Sequence, residues 1–142
     1  MLPFFVYGTL LPGQRNHHVW QGAVVQQVAA VFPNGRLYDM GTFPMLIEVG
    51  KRVVRGMVLT IDSAHYVAVL AAVDQLEGHD PDAPERSFYL RAQRTVYLSH
   101  GEPVTAWVYL GQPVLVAGHH PIPHNNWPDY AAGGLLRRGN SV

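Results

Sequence analysis

At 142 residues, with ten basic side chains balancing ten acidic ones and only 14% of residues charged, the chain has the length of one domain. No cluster of basic residues stands out except Arg137-Arg138 near the end, so an electrostatic footprint for nucleic acid is missing. Its 48% apolar content excludes disorder, and zero cysteines exclude disulfides, thiolate nucleophiles and cysteine-ligated zinc.

The opening run Leu2–Val6 reads as an apolar strand that enters a turn, Tyr7-Gly8-Thr9-Leu10-Leu11-Pro12-Gly13. Gly8 lets the backbone approach a ligand closely, and successive N–H groups in such a turn form a concave anion site; a plain connection is the alternative. No basic n-region accompanies this run, and no apolar stretch approaches the ~20 residues of a bilayer span, so no membrane association and a cytoplasmic location are expected. A short helical segment over 15–21 is weakly patterned. Strands are expected at Ala23–Val31, Met45–Val49 and Val53–Thr60, with Pro33-Asn34-Gly35 as a tight connection.

The main helix is predicted over Ser63–Glu77. Asp62-Ser63 supply caps, Tyr66, Val69, Leu70, Val73 and Leu76 recur at helical spacing, and Gly78 is a natural stop. Tyr89–Leu98 and Thr105–Leu110 then form a hairpin through Ser99–Glu102. From Gly111 onward four prolines and a glycine pair favour irregular structure over 111–142, without a regular core helix. The expectation is a single α+β domain spanning 1–142, a small mixed sheet curled into a barrel with one main helix, its core at about 4–110.

Glu77 stands out, because it lies seven and four residues beyond Leu70 and Val73, beside the apolar stripe of the helix. Burial and the negative end of the helix both raise a carboxyl pKa there, toward the range useful to a general base and acid. The competing reading is a frayed, solvated end or an ion pair with Arg86, Arg91 or Arg94. Asp74, one turn earlier, reads as a flank residue in solvent or in a hydrogen bond.

Other constellations carry less. His119, His120 and His124 with Asp129 match no metal-site spacing, and the proline-punctuated segment reads as a loop. His17-His18 suit surface or capping roles, and Trp20, Trp107 and Trp127 suit core or pocket walls. Serine-hydrolase elbows, phosphate-binding P-loops and dinucleotide fingerprints are absent.

Taken together, the turn Tyr7-Gly8-Thr9-Leu10 and the stretch Val73-Asp74-Gln75-Leu76-Glu77-Gly78 resemble the YGSL-type loop and the acidic motif of the γ-glutamylcyclotransferase-like superfamily, which includes AIG2-like proteins. Further similar segments are Gly35-Arg36-Leu37-Tyr38-Asp39, Gly41-Thr42-Phe43-Pro44, Val54-Arg55-Gly56-Met57-Val58, Tyr89-Leu90-Arg91 and Ala106-Trp107-Val108-Tyr109, so the likeness runs from about Phe5 to Leu110. The resemblance implies a reaction in which the α-amine of a γ-glutamyl group attacks its own side-chain carbonyl, closing 5-oxoproline and expelling an amine or amino acid. It implies Glu77 as the proton shuttle and the Gly8, Thr9 and Leu10 amides as substrate holders beside Tyr7. Tyr89 and Tyr109 follow as substrate-side phenols by analogy, or else as core residues.

Because both reacting atoms sit in one molecule, neither cofactor, metal nor covalent nucleophile is needed, and the expected partner is a small γ-glutamyl substrate bound by a monomer or homodimer. Thr9 departs from the usual serine, and the long loop His79–Arg86 is expected to cap the pocket and set the substrate. The other reading keeps the fold but makes it a non-catalytic small-molecule binding or interaction module.

Overall fold

The computed structural model describes residues 1–140, with side chains through residue 133; the side chains of Arg137 and Arg138 lie outside the described ones. Strand β1 (Phe4–Val6) alternates its side chains between two cores: Phe4 and Val6 face one, Phe5 and Tyr7 the other. A strand buried on both sides needs partners on both edges. It has them in β5 (Val54–Ile61), antiparallel with Val6 opposite Met57, and in β7 (Pro103–Leu110), parallel at Phe4 and Trp107.

The remaining strands are β2 (Val24–Phe32), β3 (Arg36–Asp39), β4 (Pro44–Ile47) and β6 (Leu90–Leu98). The order β1-β5-β2-β6-β7 closes into a barrel, as expected of a curled mixed sheet. β6 and β7 form the foreseen hairpin, with Leu90 opposite Leu110 and Gly101 at φ 93° in its turn. β3 and β4 pair separately, and the Gly111 amide donates to the Leu46 carbonyl at 2.8 Å to join that ribbon to the end of β7. The four-residue β3 was not foreseen as a strand, because its Arg-Leu-Tyr-Asp sequence is half polar and finds its ladder only in β4.

Helix α1 (Tyr66–Glu77) packs Tyr66, Val69 and Val73 on the Phe4 side of the barrel. It begins later than Ser63 because Ser63–His65 form a 3-10 turn, with the Asp62 carboxylate accepting from the Ala64 amide at 3.0 Å. It ends where Gly78, at φ 69°, sends its amide back to the Asp74 and Gln75 carbonyls. The weak helical segment proves to be a 3-10 turn, His17–Trp20.

The C-terminal expectation needs correction. Irregular backbone runs only to residue 126, and α2 (Trp127–Asn140) follows, with Trp127, Tyr130 and Ala131 packed on the second core. Asn126 starts it, its side-chain oxygen accepting from the Asp129 amide at 3.2 Å, and Pro128 falls in the first turn, where a proline costs no helical hydrogen bond.

Candidate active site

The turn after β1 is held from one side by the 3-10 segment. The Asn16 amide donates to the Thr9 carbonyl at 2.9 Å and its side chain to Thr9 Oγ1 at 3.0 Å. His17 Nδ1 and Trp20 Nε1 both donate to the Leu10 carbonyl, at 2.9 and 3.0 Å. On the other side Gly8 lies against Pro44; a Cβ there would stand 2.6 Å from the proline Cγ, so only glycine fits. The carbonyls of the turn are thereby engaged, while among the described residues no acceptor meets the amides of Gly8, Thr9 or Leu10. Three consecutive backbone donors are left for a ligand.

These residues border a cavity of about 260 Å³. Its floor is buried: Phe5, Val6, Tyr7, the 8–10 turn, Pro44, Tyr89 and Tyr109. Its rim is formed by the exposed Arg15, Leu76 and Phe88 with the half-buried Asn16 and Phe43. Glu77, on the last turn of α1, is part of the same wall. Every residue read from the sequence as a site residue, namely Tyr7, Gly8, Thr9, Leu10, Glu77, Tyr89 and Tyr109, therefore borders one hollow.

The three phenols are committed as donors to the protein. Tyr7 donates to the Tyr109 carbonyl at 2.5 Å, Tyr89 to the Pro44 carbonyl at 2.7 Å, and Tyr109 to Asp74 Oδ1 at 2.7 Å. Burial pushes all three pKa values up, Tyr89 and Glu77 adding to it at Tyr7, Glu77 at Tyr89 and Asp74 at Tyr109. They are neutral, rigid walls near pH 7.

Glu77 differs, since among the described residues it has no hydrogen-bond or ion-pair partner. The arginines proposed as its partners are engaged elsewhere: Arg91 with Asp74 at 2.8 Å, Arg94 with Glu48 at 2.8 Å, and Arg86 nearest Glu85 at 3.9 Å. Burial pushes the Glu77 carboxyl up to about 7. A group so poised holds and releases a proton near neutrality.

Asp74 proves buried and doubly hydrogen-bonded, so the hydrogen-bonding alternative holds and the solvent one does not. The 79–86 loop does not cap the hollow; none of its residues lines it, and Phe88 takes that place. Arg15, Asn16, Phe43, Pro44, Leu76 and Phe88 were not foreseen as site residues. Phe43, Pro44 and Leu76 lie in the segments that carry the family resemblance, and Asn16 is a turn-forming residue close after a glycine turn; Arg15 and Phe88 had no such signal. Among the described residues no cluster of three or more potential ligands could hold a metal ion, and His119 Nδ1 meets the Asp39 carbonyl at 3.1 Å.

Fold and cavity together define a small barrel of the cyclotransferase-like class. The chain belongs to the family described as gamma-glutamyl cyclotransferase, AIG2-like, whose model matches residues 4–129. It is 36% identical over 108 residues to a Vibrio cholerae protein named "Putative gamma-glutamylcyclotransferase", which spans 76% of this chain and 80% of that one. Among solved structures it is similar to an AIG2-like protein from Mus musculus, at 26% identity and a TM-score of 0.58 over 80% of this chain and 81% of that one. It also shares its fold with YkqA from Bacillus subtilis, at 20% identity and a TM-score of 0.67, covering 90% of this chain and only 40% of YkqA.

Proposed function

We propose that the protein cyclises a small γ-glutamyl compound, releasing 5-oxoproline and the amine or amino acid that was attached to it. The observation that carries this reading is that Glu77, without a hydrogen-bond or ion-pair partner among the described residues, shares a hollow with three backbone donors that meet no acceptor among them. The Glu77 carboxylate takes a proton from the substrate α-ammonium, and the freed amine attacks the γ-carbonyl carbon. The new C–N bond closes the five-membered ring, and the old amide C–N bond breaks as the departing nitrogen receives the proton from Glu77; the ring nitrogen then gives up its second proton to the freed amine, which leaves as the ammonium. The amides of the 8–10 turn hold substrate oxygen, including the charge that develops on the carbonyl.

One carboxyl near pKa 7 serves both proton transfers, which supplies a factor of about 10²–10⁴ in rate. Ring closure within one held molecule supplies the larger share, through effective molarities of about 10⁵–10⁸ M. The family and the Vibrio relative's name support a cyclotransferase; the substrate, the products and the residue roles are this proposal. The test is 5-oxoproline release from a panel of γ-glutamyl amines and γ-glutamyl amino acids by the wild-type chain and by Glu77→Gln. Turnover that survives the substitution overturns the assignment of Glu77. Binding without product across the panel supports a non-catalytic binding module instead.

A further inference from the structure

Among the described residues the cavity walls contain one basic and one acidic side chain, Arg15 and Glu77. Arg15 lies in a stretch whose backbone is fixed on both sides, the Asn16 amide donating to the Thr9 carbonyl at 2.9 Å and the Gln14 amide to the Leu11 carbonyl at 3.0 Å. Its guanidinium is exposed and forms no ion pair among the described residues. Among the described residues its one hydrogen bond, from Nη2 to Thr42 Oγ1 at 3.3 Å, leaves the rest of its donor fork unused. Thr42 precedes the rim residue Phe43, so this bond places the guanidinium where one loop meets another at the mouth.

At about 260 Å³ the hollow is smaller than the ~300–1,000 Å³ of drug-sized pockets and suits one glutamyl unit with little besides. The orientation of that unit follows from the chemistry, as the deeper inference rests on the proposed cyclisation. The α-amine must reach Glu77 and the γ-carbonyl must reach the amides of the turn, both in the wall. The glutamyl α-carboxylate shares a carbon with that amine and therefore stays inside. The departing group leads outward, past Arg15, Leu76, Phe88 and Phe43.

We propose that Arg15 is a specificity-determining residue that pairs with a carboxylate on the departing amine, while Leu76, Phe88 and Phe43 pack on its apolar part. A departing amino acid satisfies both features; a simple alkylamine leaves the guanidinium without a partner, and a polyamine places like charges together. A charge-assisted hydrogen bond from an exposed guanidinium at the mouth is expected to change affinity by a factor of about 5–30, which is about 1–2 kcal/mol.

The test compares γ-glutamyl-leucine with γ-glutamyl-isoamylamine, which differ only in the carboxylate of the departing group. Calorimetric titration into Glu77→Gln protein keeps both compounds intact. Glu77→Gln protein is expected to bind the leucine compound about 5–30-fold more tightly, and adding Arg15→Gln is expected to bring that ratio near one. Equal affinities in the parent, or a ratio that survives Arg15→Gln, overturns the proposal. Equal weakening of both compounds also overturns it, because it assigns Arg15 to the glutamyl unit. Failure of the cyclisation reading is seen separately, as wild-type protein that shows the affinity ratio but releases no 5-oxoproline.

Discussion

Two acids sit one turn apart on α1, and their surroundings are opposite. Asp74 is more deeply buried, yet Oδ1 receives the Tyr109 hydroxyl at 2.7 Å and Arg91 Nε at 2.8 Å, and the Arg91 guanidinium lies 4.1 Å from the centre of the Trp107 ring. Glu77 is only half-buried and has no such company among the described residues. Depth therefore does not decide which carboxylate is left uncompensated; supply of donors does. The Asp74 side is a joint that fastens α1 to β6 and β7, and the Glu77 side is a place where a charge is left uncompensated.

The comparison breaks most visibly under Glu77→Gln. Turnover is expected to fall about 10²–10⁴-fold, read as initial rate of 5-oxoproline release, with the fold intact by circular dichroism. Asp74→Ala should do the reverse. It strands Arg91 in a largely buried position and should cost about 3–5 kcal/mol of stability in urea denaturation, the usual result of removing half of a buried pair.

A smaller effect with the opposite sign sharpens the contrast. The Glu77 carboxyl rises from 4.5 to about 7 on folding, so folding favours its protonated form. Stability linked to this group is fully present below about pH 4.5 and is lost as pH rises through 7. Glu77→Gln should thus be more stable than wild type by about 1–3 kcal/mol at pH 8, and the difference should vanish near pH 4. The same titration gives kcat/KM of the wild type an acid limb centred near pH 7, because the free enzyme must hold Glu77 ionised to accept a proton. Tyr109→Phe removes a single donor from Asp74 and leaves Arg91 in place. Its expected cost is about 0.5–1.5 kcal/mol, read as a shift in the urea midpoint.

Sequence made one of these two acids readable and left the other obscure. Glu77 could be placed from Leu70, Val73 and Gly78 alone, because helical spacing and a left-handed stop are local facts. Asp74 depends on Arg91 and Tyr109, 17 and 35 positions away, and nothing local announces them. The same division explains the rest. The β6–β7 hairpin and the strand–glycine turn were legible because their signals are contiguous. β3 was not, since its hydrogen bonds are supplied by β4. Pro128 and the glycine pair masked α2, where capping by Asn126 and packing of Trp127 outweigh poor helix propensity. Arg15 acquires its place at the rim only when Thr42 and Phe43 are brought beside it.

The closure of the barrel has a kinetic corollary. Strand β1 is secured by Phe4 meeting Leu59 on one edge and Trp107 on the other, so the loop it delivers is fixed only after segments distant in the chain have come together. Contacts of such long range form late and slowly. During synthesis, a nascent chain that has not yet extended to β7 can carry α1 and its terminal acid but lacks one of the two edges that secure β1 and the turn after it. The 8–10 turn is then held on both edges of its strand only once the last strand pairing has formed.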